Sequence, residues 1–283
     1  MKFAIVSFLA ATLSVNIVHA ELKTNIEYGK ANGQVLRLDA NVPDGAGPFP
    51  VVIAIHGGGW CFGDKSGKGG FAPVLQALTA NHFTWFSIDY RLAPTNHWPA
   101  CFADVQTAIR WVKAHAAEYK GNPNQIALLG YSAGGHLVCL AATLAKADTR
   151  VQAVVGLAPP TDLLADAERR GGVGKWPSMR NLLGRDSMDD ETMKLLRQMS
   201  PMNHVKPGLP PFLLMQGDSD KTVPPPFTRI FAAKLKKNGV PYELYFLKGP
   251  GHRIADWEKF DATYQQKLVD WLDQTLTAGL LKR

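Results

Sequence analysis

The chain predicts an α/β domain built on a mostly parallel central sheet with helices on both faces. Two observations carry this. Short runs rich in β-branched and apolar residues alternate with helical segments through most of the 283 residues. Several of these runs, Val51–Ile55 the clearest, are apolar at every position, as strands buried on both faces are. A composition 46% hydrophobic, with no linker to divide it, suits one large domain.

In order, residues 28–41 read as two short strands around the turn at Asn32 and Gly33, and residues 43–48 as a turn-rich break. The strand at 51–55 follows, then a helix over 71–81, a strand over 84–88 and an amphipathic helix over 102–117. Residues 125–129 read as a buried strand and 135–142 as a helix. Further strands are expected at 151–157, 211–216 and 242–247, with helices near 227–237 and 255–275. Residues from about 160 to 205 break the rhythm with glycines, charges and short apolar pieces. They predict a small cap-like or lid-like excursion within a single domain spanning 21–283.

Residues 1–20 are set apart. Lys2 is a minimal positive start, Phe3 to Val18 is mostly apolar, and Val18-His19-Ala20 is an acceptable cleavage site. The expectation is a signal peptide cut after Ala20, and a secreted or periplasmic protein. No later run is apolar enough to span a bilayer. The net charge is +7, but its lysines and arginines are scattered rather than set in a stripe with aromatics, so nucleic acid is not an expected partner. Cys61, Cys101 and Cys139 have no metal-ligand spacing. Cys139 reads as a small buried apolar residue. Cys61 and Cys101 read as loop residues, either free or paired in an oxidising compartment.

The chemistry starts at Gly130-Tyr131-Ser132-Ala133-Gly134, between the strand at 125–129 and the helix after it. G-x-S-x-G in that context is a nucleophile elbow, and its glycines give room to a tight, strained turn. A serine hydroxyl needs a base near neutral pH. Of eight histidines, His252 follows the last strand in a glycine-rich loop that lets the imidazole reach Ser132, whereas His136 sits on the elbow helix and points away. The imidazole needs a carboxylate to fix its tautomer. Asp220 and Asp218 compete, and the loop phase favours Asp220, three residues after Gly217 and three before Val223. His56-Gly57-Gly58-Gly59-Trp60 follows the strand ending at Ile55. Its N–H groups suit a developing oxyanion, with Gly57 and Gly58 as donors beside Ala133. A phosphate-binding loop would need a Lys-Ser/Thr pair in phase, which is absent. Trp60, Tyr131 and the segment around Trp176 are candidates for the pocket wall, or ordinary core.

HGGGW (56–60), DYRLAP (89–94), GYSAGG (130–135), DSDKTVP (218–224) and GPGH (249–252) together resemble the α/β-hydrolase serine esterases. The likeness is closest to the hormone-sensitive-lipase-like and feruloyl-esterase-like (BD-FAE type) branch, and runs from about Asn25 to Leu272. The resemblance implies a Ser132–Asp220–His252 triad, an oxyanion hole at Gly57, Gly58 and Ala133, and structural roles for Asp89 and Arg91. It implies no cofactor and no metal, and as substrate a small or polysaccharide-linked ester, such as an acetyl, feruloyl or other short-chain ester. Gln216 departs from the pattern, since relatives often carry His there. HGGGW and YSAGGHL (131–137) also resemble kynurenine formamidases, which leaves amide hydrolysis open. A non-catalytic binding protein on this fold would usually lack a triad member.

Overall fold

The computed structural model describes residues 20–278. Eight strands form one sheet: β1 (Glu21–Ala31), β2 (Gln34–Val42), β3 (Phe49–Ile55), β4 (Thr84–Ile88), β5 (Gly121–Tyr131), β6 (Ala153–Leu157), β7 (Phe212–Gly217) and β8 (Tyr242–Leu247). The spatial order is β1-β2-β4-β3-β5-β6-β7-β8. Strands β1, β2 and β4 pair antiparallel, and every pair from β4–β3 to β7–β8 is parallel. This is the α/β-hydrolase fold.

Alternation along β3 shows why the middle strands read as continuous apolar runs. Val51, Ile53 and Ile55 enter the core on one face, and Val52 and Ala54 enter the core on the other. Helices α1 (Ala72–Ala80) and α8 (Tyr264–Ala278) cover the second face. Helices α2 (Ala100–His115), α3 (Ala133–Thr143) and α7 (Pro225–Lys237) cover the first. The 160–205 excursion folds into α4 (Leu163–Arg169), α5 (Pro177–Leu183) and α6 (Asp190–Met199). It is not a detached lid. Leu163, Met179, Leu182, Leu196 and Met199 are buried in the same core as α2 and α3.

Most limits shift by a few residues from the sequence reading, and three departures change the packing. Strand β1 begins at Glu21, seven residues before the expected start, and its outer side is exposed and polar. The long final helix is two pieces: a 3₁₀ turn over Ile254–Lys259, then α8 from Tyr264. Asp261 ends the first piece, accepting from the backbone N–H and hydroxyl of Thr263, from Lys267 and from the Tyr245 hydroxyl. Cys101 lies in the first turn of α2, not in a loop. All three thiols are free and buried. Burial raises the Cys101 thiol to about 12, so it packs as a small apolar group. No helix of the described residues is long and apolar enough to cross a membrane. The expected signal peptide lies outside the described residues, apart from Ala20.

The DYRLAP segment ties the loop after β4 to α2. Arg91 grips Asp104 through Nε at 2.9 and 3.1 Å and Nη2 at 2.8 Å, while its own backbone N–H donates to the same carboxylate. Asp89 accepts from the Lys65 N–H at 2.7 Å, steadying the loop after the glycine triplet. The Asp104 side chain is only 2% exposed. Arg91→Met therefore leaves a buried carboxylate without its cation, and should cost about 3–5 kcal/mol of stability in urea denaturation. The double replacement Arg91→Met/Asp104→Leu should cost less than the single one.

Candidate active site

The order of strands decides where a site can form. From β3 the chain runs outward to β4, then returns to lay β5 on the other side of β3. Loops after β3 and β5 therefore diverge and leave a crevice at the carboxyl ends of these strands. The glycine triplet leaves β3 there, and Ser132 leaves β5.

Ser132 links β5 to α3 with φ 54° and ψ −117°, a region costly for a residue with a Cβ. Its N–H donates to Leu157 O at 2.8 Å, and its carbonyl accepts from the His136 N–H at 2.9 Å. The flanking glycines are obligatory. A Cβ on Gly130 would sit 2.3 Å from Gly134 O, and one on Gly134 would sit 2.1 Å from Ile55 O. The elbow is thereby pressed against the end of β3, bringing Ser132 beside the triplet.

His252 Nε2 lies 2.8 Å from Ser132 Oγ, and its Nδ1 lies 2.8 Å from Asp220 Oδ2. Asp220 follows β7 and is 3% exposed. Its Oδ1 accepts from the N–H groups of Thr222 and Val223 at 2.9 and 3.0 Å. Its Oδ2 also accepts from the Gln216 amide at 3.2 Å. Every partner of this carboxylate is an N–H donor, so Nδ1 carries the imidazole proton and Nε2 is free to accept the serine's. Gln216 is wholly buried. Its amide nitrogen also donates to Val223 O, and its oxygen accepts from the Thr228 hydroxyl. It clamps both ends of the Asp220 loop. Asp218 does different work from Asp220: it is exposed, and its Oδ1 accepts from the Gly249 N–H at 2.8 Å.

The glycine-rich loop carrying His252 is tied down rather than free to swing. Ser219 N–H donates to Pro250 O, Trp257 Nε1 donates to Gly251 O at 3.0 Å, and the Tyr131 hydroxyl donates to His252 O at 2.8 Å. Tyr131 thus lines the cavity and also fixes the loop of the imidazole, a second role its position in the pentapeptide did not reveal.

The triplet divides unequally. Gly58, Gly59 and Ala133 line the cavity, and Gly57 does not. Gly57 is buried, and a Cβ there would press on the Tyr131 ring at 2.9 Å. The Gly57 carbonyl faces inward, 2.7 Å from His56 Nδ1 and 3.5 Å from the Tyr90 hydroxyl. In a trans peptide the next N–H points the opposite way, so Gly58 N–H faces out. The Gly58 carbonyl in turn accepts from the N–H groups of Cys61 and Phe62 at 3.1 and 3.0 Å, which turns out the Gly59 N–H. Among the described residues, the N–H groups of Gly58, Gly59 and Ala133 have no acceptor. Gly59 thus lines the cavity, and Gly57, one of the two triplet donors expected from the sequence, does not. Three identical residues in a row carry no signal of which two face outward.

The cavity holds about 650 Å³. Trp60 and Trp176 are both core and wall: each is mostly buried, their rings are 6.1 Å apart, and both line the cavity. Trp60 is anchored by His136, whose Nδ1 accepts from the indole N–H at 3.2 Å while Nε2–H donates to Met199 O at 2.8 Å. His136 is therefore a neutral strut, as its direction on the helix suggested. Burial lowers its pKa from 6.5 to about 4. The unfolded chain binds this proton at higher pH than the folded one. His136 thus contributes stability that is full above pH 6.5 and is lost as pH falls toward 4, at about 1.4 kcal/mol per unit. Thermal denaturation should show a steeper loss over that window in the native protein than in His136→Gln.

Residues 38–235 match the family model described as BD-FAE. The chain is 35% identical over 226 residues to a Mycobacterium tuberculosis protein named "Probable carboxylic ester hydrolase LipM", covering 75% of this chain and 50% of that one. It is 32% identical over 244 residues to Esterase LipC of the same organism, covering 81% of this chain and 59% of that one. The chain thus spans little more than half the length of these curated relatives. Among solved structures, the acetyl ester-xyloside bifunctional hydrolase from Caldicellulosiruptor lactoaceticus superposes with a TM-score of 0.74 at 26% identity, over 88% of this chain and 95% of that one. With most of its sheet inside the matched region and its fold shared with these esterases, the chain belongs to the BD-FAE family of the α/β-hydrolase fold.

Proposed function

We propose that the protein is a secreted serine carboxylic-ester hydrolase that acts through an acyl-serine. The observation that carries this is the unbroken hydrogen-bonded line from Ser132 Oγ through His252 to Asp220, opening on a cavity beside unpartnered N–H groups. Ser132 attacks the ester carbonyl as His252 Nε2 takes its proton. Gly58, Gly59 and Ala133 N–H groups receive the oxyanion, and each such donor is worth about 10²–10³ in rate. His252 then returns the proton to the leaving alcohol, and water reverses the sequence on the acyl-serine. These steps need no metal or cofactor.

The substrate we infer is a short-chain or aryl-acyl ester: acetyl or feruloyl groups on a small molecule or a polysaccharide. The aromatic wall of Trp60, Tyr131 and Trp176, the expected export signal and the likeness to the acetyl ester-xyloside hydrolase of Caldicellulosiruptor lactoaceticus support this reading. Rates on p-nitrophenyl esters from acetate to decanoate test it, with acetylated xylan, methyl ferulate and N-formylkynurenine alongside. The expected result is highest kcat/KM at the short end, with release from xylan or ferulate. Preference for the formamide would replace ester with amide hydrolysis.

A further inference from the structure

Among the described residues, the cavity above Ser132 is lined by one fixed charge. Of its lining residues, Arg170 alone is an Arg, Lys, Asp or Glu. Arg170 follows α4 and is held at three points. Its Nε donates to Asp166 Oδ2 at 3.0 Å, its Nη2 donates to Thr222 O beside Asp220, and its guanidinium lies 4.5 Å over the Trp176 ring. Among the described residues, no acceptor takes the Nη1 hydrogens.

Asp166 does not cancel this charge. It is 2% exposed and is also gripped by Arg169, through Nε at 2.8 Å and Nη2 at 2.5 Å. One carboxylate faces two guanidinium groups, so the cluster carries a surplus positive charge. Arg169 alone would neutralise Asp166, and a neutral donor would serve Thr222. The charge at the cavity wall is more than the fold requires. The side chain is 22% exposed, so it is partly desolvated and already ordered. A guanidinium held this way, with a free Nη1 edge, suits a carboxylate, and little ordering cost remains.

Resting on the esterase reading above, we propose that Arg170 is a specificity residue selecting esters that carry a carboxylate in their acyl or alcohol portion. The ester bond goes to Ser132, and the remote carboxylate goes to Arg170.

Two matched pairs test this and separate the two portions. For the acyl side, mono-p-nitrophenyl glutarate is compared with p-nitrophenyl pentanoate. For the alcohol side, 4-acetoxybenzoate is compared with 4-acetoxybenzamide. The readout is the anionic-to-neutral ratio of kcat/KM, in native protein and in Arg170→Met. Comparing the ratios between the two proteins cancels intrinsic reactivity, and also any general loss from releasing Thr222. At least one ratio should fall about tenfold in the variant, in line with a hydrogen bond to a charged group. Equal ratios in both proteins, for both pairs, would overturn the proposal. Should the variant fail to fold, the native protein decides. Added NaCl should lower kcat/KM for the favoured anionic ester more than for its neutral partner, and an equal response would overturn the proposal. Absence of turnover on all four esters would instead remove the esterase reading on which it rests.

Discussion

Ser132→Ala should lower kcat on p-nitrophenyl acetate by about 10⁶, leaving only what the oxyanion donors and binding supply. The alanine keeps the elbow's backbone and removes the Ser132 oxygen 2.8 Å from His252 Nε2, and among the described residues no other hydroxyl bonds that nitrogen. A folded variant that retains a tenth of the native rate would mean that another group attacks the ester. The same position makes a stability prediction of opposite sign. At φ 54° and ψ −117° a Cβ is strained, while glycine is not. Ser132→Gly, equally inactive, should be more stable than Ser132→Ala by about 1 kcal/mol in thermal denaturation. The elbow holds that strain because Gly130 and Gly134 let α3 close onto β3.

Asp220→Asn should cost about 10⁴ in kcat with little change in the fold. The N–H groups of Thr222 and Val223 demand an acceptor at Oδ1, so the asparagine carbonyl must lie there. Its NH₂ then faces His252 Nδ1, where the carboxylate had accepted a proton. Two donors cannot meet. The imidazole answers by moving its proton to Nε2, which can no longer take one from Ser132. Steady-state rates measure this directly, and a loss under tenfold would place the working carboxylate elsewhere. Asp218 is the obvious alternative by sequence, but it is spent on the Gly249 N–H.

Legibility followed burial. Strands β3 to β7 announced themselves because strands covered on both faces are apolar at most positions, and β4, apolar but for Thr84 and Ser87, matches its expected limits residue for residue. Strand β1 is a polar edge strand with only Tyr28 buried, so its first seven residues carry no pattern. The break before α8 was invisible because no Gly or Pro marks it. It is made by Asp261, which accepts from Thr263 and Lys267 nearby and from the Tyr245 hydroxyl on β8. In the site, Ser132, Asp220 and His252 stand where loop phase and motif placed them, and the structure brings all three within hydrogen-bond reach. Which glycines face the cavity was not legible, because that depends on where the Gly57 and Gly58 carbonyls find donors. Nor was Arg170, in a stretch of the excursion with no motif, whose place in the cavity wall comes from its contacts with Asp166, Trp176 and Thr222.

The mechanism stands on the claim that Ser132 forms a covalent bond to the acyl group. The most direct measurement is intact mass after treatment with a fluorophosphonate, a serine-directed acyl mimic, followed by peptide mapping. One adduct per chain, on the peptide containing Ser132 and absent from Ser132→Ala, is the predicted result. An esterase-active protein that takes no label, or takes it on another residue, would contradict the claim.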